Sequence, residues 1–241
     1  MAEVVTVSDN GGHFLVCSRY REQFQPDWFS PEHWGEASTP VSSGGRGSAW
    51  FIDAGDQHWV LRQYLRGGLI AKLLSNHYLY TGSRRIRCVR ELELLEQLHR
   101  EGLPVPEPVA AAWSTRRGAF YTCAILMKRL SDTVPMGAVL ESLPLSRWRQ
   151  VGAVIRRFHD HHVYHADLNC FNVLLSDSDV YLIDFDKGQL RSGSEDGAPW
   201  KQANLERLKR SIVKALGSDS PLLADRWNSL LDGYRQSGSP A

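Results

Sequence analysis

No stretch of the 241-residue chain reaches 18 consecutive apolar residues, so no segment is expected to span a bilayer. The opening MAEVVTVSDNGGHF lacks a basic segment followed by an apolar core and is not expected to be a secretory signal. Cysteine is scarce and scattered. Cys17, Cys88, Cys123 and Cys170 show neither C-x-x-C nor Cys/His ligand spacing, which speaks against a zinc site and for free thiols in a reducing compartment. Lysine is scarce as well, at six residues against 22 arginines. There is no internal repeat and no low-complexity tract.

What is present is ordinary for a globular protein: 42% hydrophobic and 23% charged residues, enough chain for one large domain or two small lobes. The net charge of +1 hides an asymmetry. Residues 61–100 carry +5 and residues 176–197 carry −4, so one region could meet an anion and the other could hold a cation. No nucleic-acid partner is expected, and the oligomeric state is left open.

Residues 1–40 read as an irregular lead-in that packs on the body through Trp28, Phe29 and Trp34 in FQPDWFSPEHWGE; insertion of these rings at an interface is the alternative. A glycine-rich turn, VSSGGRGS, then leads into AWFID and HWVLRQY, two strand-like runs around the turn signal AGDQ. Residues 69–80 place Leu69, Ile70, Leu73 and Leu74 on one helical face. Residues 84–101 are a second amphipathic helix, with Val89, Leu92, Leu95 and Leu98 as its stripe and Gly102 as its stop. LPVPEPVAAAWS and AFYTCAILMKRL read as two further strands. Beyond the connector SDTVP comes a helix from Ser146, its expected N-cap, with Trp148, Val151, Ile155 and Phe158 in register. NVLLS and DVYLIDFD are short strands, and residues 200–216 and 221–236 are helical. The expected class is α+β, with a strand-rich lobe over residues 1–130 and a helix-rich lobe over 131–241.

Three elements follow one another in an order that suits phosphoryl transfer: the glycine-rich turn, the polar loop HADLNCFN, and an acidic DFD placed 17 residues beyond Asp167. That reaction needs backbone N–H groups over phosphates, a base near the attacking hydroxyl and oxygen ligands for Mg²⁺. HADLNCFN resembles the protein-kinase-like catalytic loop H-R-D-L-x-x-x-N, and IDFD resembles the D-F-G segment. The resemblance implies two lobes with an ATP cleft between them. It makes Asp167 the residue that takes or orients the acceptor hydroxyl's proton, and Asn172 and Asp184 the Mg²⁺ ligands. The plain alternative for Asp167 is a turn residue capping its own backbone. His165 is expected to be structural.

The departures from the pattern narrow the substrate. Gly45 and Gly47 fit the first two glycines of G-x-G-x-x-G, but Trp50 stands where the third is expected. The third-strand Lys is missing. Arg62 occupies its place, with Glu91 as its expected partner and Lys72 as the alternative cation. Lys128 completes the expected cofactor-binding set. Ala166 replaces the Arg that meets a phosphorylated activation loop in regulated protein kinases, Asn169 stands where Lys or Arg follows the loop's Leu, and no A-P-E is found. These features point to a small-molecule, lipid or sugar kinase.

GRGSAWFI, VLRQYLRGGLIAKLLSNHYLYTG, RELELLEQLHREGLPVPEPVAA, YHADLNCFNVLL and YLIDFDKG together resemble the Kdo (3-deoxy-D-manno-octulosonic acid) kinase family of Gram-negative bacteria, over roughly residues 40–195. The resemblance implies ATP- and Mg²⁺-dependent phosphorylation of the 4-hydroxyl of a Kdo sugar on a lipid A precursor. It implies a peripheral enzyme on the cytoplasmic side of the inner membrane. Kdo carries a carboxylate and lipid A precursors carry phosphates, so Arg66, Arg84, Arg85 and Arg87 are candidate substrate contacts. An anionic membrane surface could attract the same patch by roughly 1 kcal/mol per charge; a solvated helix face is the alternative. A heptose kinase of the same pathway, a small atypical protein kinase and a non-catalytic nucleotide-binding module remain competing readings.

Overall fold

The computed structural model describes residues 4–9, 12–41, 49–64, 78–79, 82, 85–116, 120–192 and 198–236. They form two compact units, one drawn from Met1–Arg100 and Pro106–Arg129, the other from Glu101–Val105 and Leu130–Ala241.

The first unit is built on one antiparallel sheet. Its strands are β1 (Val4–Asp9), β2 (Gly12–Cys17), β3 (Ser38–Pro40), β4 (Ala49–Ala54), β5 (Gln57–Gln63), β6 (Tyr78–Leu79), β7 (Pro108–Arg116) and β8 (Phe120–Lys128), with short helix α1 (Pro31–Trp34) and helix α2 (Arg87–Arg100). The order is β1-β2-β7-β8-β5-β4-β3, and β6 pairs with the start of β8. The β4–β5 hairpin closes around Gly55, whose φ of +62° is the left-handed value that the tight turn requires. Along β5 the side chains alternate. Trp59 and Leu61 are fully buried, and Trp59 takes Trp28 at 4.7 Å and Trp34 at 5.7 Å between ring centroids. Arg62 and Tyr64 point to the other face. Helix α2 packs on β7 and β8 with Val89, Leu92, Leu95 and Leu98 inward, and Cys88 Sγ donates to the Ala112 carbonyl at 3.4 Å.

The first unit departs from the expected pattern in three places. Residues 1–40 are not irregular: β1 and β2 form a six-residue antiparallel ladder that joins the sheet through β7, although the tryptophans of the lead-in do pack into the body. The segment 69–80 is not helical at its end, since Tyr78 and Leu79 pair with Tyr121 and Phe120; the rest of it lies outside the described residues. Helix α2 begins at Arg87 rather than at residue 84.

The second unit contains β9 (Val134–Pro135), helix α3 (Leu145–Asp160), β10 (Val163–Tyr164), β11 (Val173–Leu175), β12 (Val180–Leu182), β13 (Gln189–Leu190), and helices α4 (Pro199–Leu216) and α5 (Leu223–Gln236). Helix α3 starts one residue before Ser146, which is therefore inside the helix. Pro144, at φ −67° and ψ 151°, is the N-cap and supplies no side-chain cap. Helices α3 and α5 approach backbone to backbone. A Cβ on Gly152 would lie 1.9 Å from the Leu230 carbonyl oxygen, and one on Gly233 would lie 1.8 Å from that of Arg149. Phe158, on the buried stripe of α3, stacks on Phe185 at 5.8 Å. Among the described residues no helix is long and apolar enough to cross a membrane.

Candidate active site

Two very short ladders determine where the polar loop goes. β10 pairs with β13 through Tyr164 and Gln189, and β11 pairs with β12 through Val173 and Leu182. The loop 165–172 and the segment 183–188 therefore run between the same two clamps. The ladder is extended by Ile183 N–H, which donates to the Asn172 carbonyl at 3.1 Å, so Asn172 stands opposite Ile183 and beside Asp184. Arg147 of α3 fastens the β11–β12 turn, donating to the carbonyls of Ser176 at 2.6 Å and of Ser178 and Asp179 at 3.0 Å each. Asp184 itself has φ +65°, a left-handed conformation that Asp tolerates better than most residues.

Inside the loop, His165 acts as a buckle. Its Nδ1 accepts from the Asp167 N–H at 3.1 Å, so the Nε2–H donates to the Ile183 carbonyl at 2.9 Å. The imidazole thereby ties the Asp167 backbone to the residue preceding Asp184. Burial pushes its pKa down, against the opposing pull of the Ile183 bond and of the Asp184 and Asp167 carboxylates. With both nitrogens committed, the ring is a neutral structural part. Asn172 Nδ2 donates to the Asp167 carbonyl at 2.9 Å, and Asn169 Nδ2 donates to the same oxygen at 3.0 Å. Asn169 Oδ1 accepts from the Phe171 and Asn172 N–H groups at 2.9 and 3.2 Å. Asn169, where a kinase-like loop carries a cation, is thus a residue that folds the loop.

The loop is fastened to α4 by residues at i, i+3 and i+7, which share one helical face. Asn204 Oδ1 accepts from His165 N–H at 3.1 Å, and its Nδ2 donates to the His165 carbonyl at 2.9 Å. Arg207 Nε donates to Asp167 Oδ1 at 3.0 Å, and its Nη2 reaches the same oxygen. Ser211 Oγ accepts from Cys170 N–H at 2.9 Å. Arg207 was not anticipated from the sequence. Its partner lies 40 residues away, and the only signal was the absent cation at position 169 together with the Asn204, Arg207, Ser211 spacing.

Asp167, Asn172 and Asp184 are therefore brought together in the second unit. The amide nitrogen of Asn172 is held inward by the Asp167 carbonyl, which leaves its Oδ1 as the end available to a cation. That oxygen and the Asp184 carboxylate form a hard, all-oxygen donor pair of the kind Mg²⁺ accepts alongside water and phosphate oxygens. Among the described residues no group of three or more His, Cys, Asp or Glu forms a site that would hold a metal without such help.

In the first unit, Arg62 Nη2 and the Tyr64 hydroxyl both donate to Glu91 Oε2. Glu91 is only 2% exposed, whereas the Arg62 side chain is 21% exposed. The guanidinia of Arg62 and Arg87 lie 5.0 and 5.2 Å from the Tyr64 ring centroid. Burial, then the Glu91 charge, push the Tyr64 hydroxyl well above its usual pKa, so it stays a donor. Tyr64 is a second residue not anticipated from the sequence, although it stands two positions from Arg62, one residue past the end of β5.

The other expected site residues fall elsewhere. Lys128 pairs with Glu107 at 2.8 Å. Against the burial that raises it, hydrogen bonds from Lys128, Tyr20 and Arg19 hold the Glu107 carboxyl at about 2. Arg85 is exposed, and Arg87 turns toward Tyr64. Gly45, Gly47, Arg66 and Arg84, together with Lys72, lie outside the described residues.

The model of the lipopolysaccharide kinase (Kdo/WaaP) family matches residues 31–234. The chain belongs to that family. Among curated relatives of this Kdo/WaaP family member, the 3-deoxy-D-manno-octulosonic acid kinase of Xylella fastidiosa (strain M23) is 43% identical over 212 residues, covering 87% of this chain and 83% of its own. The protein of the same name from Stenotrophomonas maltophilia (strain K279a) is 44% identical over 211 residues, with the same coverage. Among solved structures, WaaP in complex with acyl carrier protein superposes with a TM-score of 0.56 at 16% identity, covering 94% of this chain and 89% of that one. Glucosamine kinase in complex with glucosamine, ADP and inorganic phosphate gives 0.53 at 12% identity, covering 97% and 81%. At such identities the likeness is one of fold. The fold is α+β and protein-kinase-like.

Proposed function

We propose that the protein transfers the γ-phosphoryl group of ATP to the 4-hydroxyl of a Kdo sugar on a lipid A precursor, in lipopolysaccharide core biosynthesis. The observation that carries this reading is the clamped pair of segments presenting Asp167, Asn172 and Asp184 in a chain 43% identical to Kdo kinases over most of its length. In the step, the sugar oxygen bonds to the γ-phosphorus, the bond from that phosphorus to the bridging oxygen breaks, and ADP leaves. The hydroxyl proton passes to Asp167, whose Oδ2 is its acceptor. Little covalent chemistry is asked of the protein; positioning and charge complementarity supply most of the rate.

Asn172 and Asp184 would hold Mg²⁺, which when bound offsets negative charge on the phosphates. Arg62, steadied by Glu91 and Tyr64, is the cation we assign to the phosphate oxygens. We place the enzyme at the cytoplasmic face of the inner membrane as a peripheral protein, drawn there by the basic stretch 61–100.

The test is incubation with labelled ATP and Mg²⁺ plus Kdo-bearing or Kdo-free lipid A precursor. Label is expected on the Kdo-bearing lipid alone. Equal labelling of the Kdo-free lipid, or labelling of protein with no labelled lipid, would contradict the assignment.

A further inference from the structure

We infer that Arg207 is the residue that reads the acceptor's carboxylate, and so selects a sugar acid over a neutral sugar. The inference rests on the function proposed above and names the side chain that gives it specificity.

The guanidinium has five N–H donors on three nitrogens in one plane. Here Nε and Nη2 both converge on one oxygen, Asp167 Oδ1. This leaves the opposite edge, Nη1 with the second Nη2 proton, without a hydrogen bond among the described residues. That edge has the width and direction of the two-bond fork that carboxylates accept. Arg207 is 47% exposed, as is Asp167, so a ligand can reach both. Asp167 in turn spends Oδ1 on Arg207 and keeps Oδ2 for a hydroxyl. The base and the cation therefore offer adjacent, outward-facing places for one hydroxyl and one anion. Kdo carries its carboxylate on the anomeric carbon and its 4-hydroxyl on the ring carbon beyond one methylene, so a single sugar residue presents both groups side by side. A neutral sugar would fill the hydroxyl place and leave the guanidinium edge empty.

The placement of Arg207 is built in. Asn204 and Ser211 fasten α4 to the loop on either side of it, and Leu208 beside it is fully buried. A cation at position 169, inside the loop, would have been lost from the network that Asn169 makes there.

The experiment compares kcat/KM for a Kdo-bearing precursor and for its Kdo methyl ester, using wild type, Arg207→Ala and Arg207→Lys, with thermal melting to verify folding. The wild type is expected to prefer the free acid by about tenfold to a hundredfold, the range for a hydrogen-bonded charge pair. Arg207→Ala should lower turnover of both acceptors, because Asp167 loses its partner, and should in addition lose that preference through a raised KM for the acid. Arg207→Lys should recover part of it. Equal losses on acid and ester, with the preference intact, would make Arg207 only a positioning residue for Asp167 and overturn the inference. Unchanged kinetics on both acceptors would do the same. A wild type inert toward the Kdo-bearing lipid would instead overturn the function on which the inference depends.

Discussion

Buried His159 should make the second unit sensitive to mild acid, by an amount that follows from its surroundings. The ring lies on α3 with Nε2 3.4 Å from Asn204 Oδ1 and Nδ1 2.7 Å from the Tyr234 hydroxyl. Asn204 Oδ1 can only accept, so the Nε2–H donates to it and Nδ1 accepts from Tyr234. Trp200 stands edge-on at 5.1 Å, and the charges facing the ring are Lys201 and Arg156, both positive. Burial first, with Lys201 and Arg156 adding to it against the Asn204 bond, lowers its pKa from 6.5 to about 3. The unfolded chain therefore binds a proton below pH 6.5 that the folded chain refuses until about pH 3. Stability is complete above the unfolded value and declines as pH falls through that window. Relative to pH 8, the loss is about 2 kcal/mol at pH 5 and about 3 kcal/mol at pH 4. The pH 5 figure is governed by the unfolded-state value, because the folded imidazole is still neutral there. His165 is shifted in the same direction by its own burial, so the comparison must be differential. Urea unfolding followed by circular dichroism at pH 8 and pH 5 would be run on wild type and His159→Gln, which keeps one donor and one acceptor. The wild type should lose about 2 kcal/mol more than the variant across that interval. Equal losses in the two proteins would refute the reasoning.

Other perturbations have defined outcomes. Arg62→Met takes the guanidinium from buried Glu91 and should cost about 3–5 kcal/mol in urea unfolding, with Glu91→Gln in the same chain restoring part of it; a cost below about 1 kcal/mol would contradict the buried pairing. Gly152→Ala drives a methyl into the Leu230 carbonyl and should destabilise by about 2 kcal/mol or more, lowering Tm by roughly 4–8 °C; an unchanged Tm would mean that α3 and α5 can separate freely. Asp184→Asn should weaken Mg²⁺–nucleotide binding by about tenfold or more in calorimetric titration; an unaltered Mg²⁺ requirement would remove Asp184 from the metal site.

The parts of the fold legible in the sequence are those with local signals. The β4–β5 hairpin follows from the strand-like runs around AGDQ, and helices α2 and α3 from their 3.6-residue stripes. The loop 165–172 was legible because its chemistry is packed into eight residues. What escaped was non-local or very short. β2 joins the sheet by pairing with residues near 112, about a hundred positions away, and no window of sequence carries that. The ladders β10–β13 and β11–β12, two and three residues long, are too brief to show a period, yet they hold Asn172 beside Asp184. Ser146 looked like a cap by residue type, but Pro144, its φ fixed by the ring, takes the N-cap position two residues earlier. Arg207 is the instructive omission at the site: its role is set by where α4 lies on the loop, and the sequence offered only a missing charge at position 169.

The central claim is that the residues clamped between the two small ladders carry out phosphoryl transfer, with Asp167 acting on the acceptor hydroxyl and not on the nucleotide. The most direct measurement is a parallel one on Asp167→Ala: Mg²⁺–ATP affinity, and phosphate transfer to a Kdo-bearing lipid A precursor. Affinity should stay near the wild-type value while transfer falls by about 10²–10⁴-fold. Wild-type turnover in the variant would contradict the account.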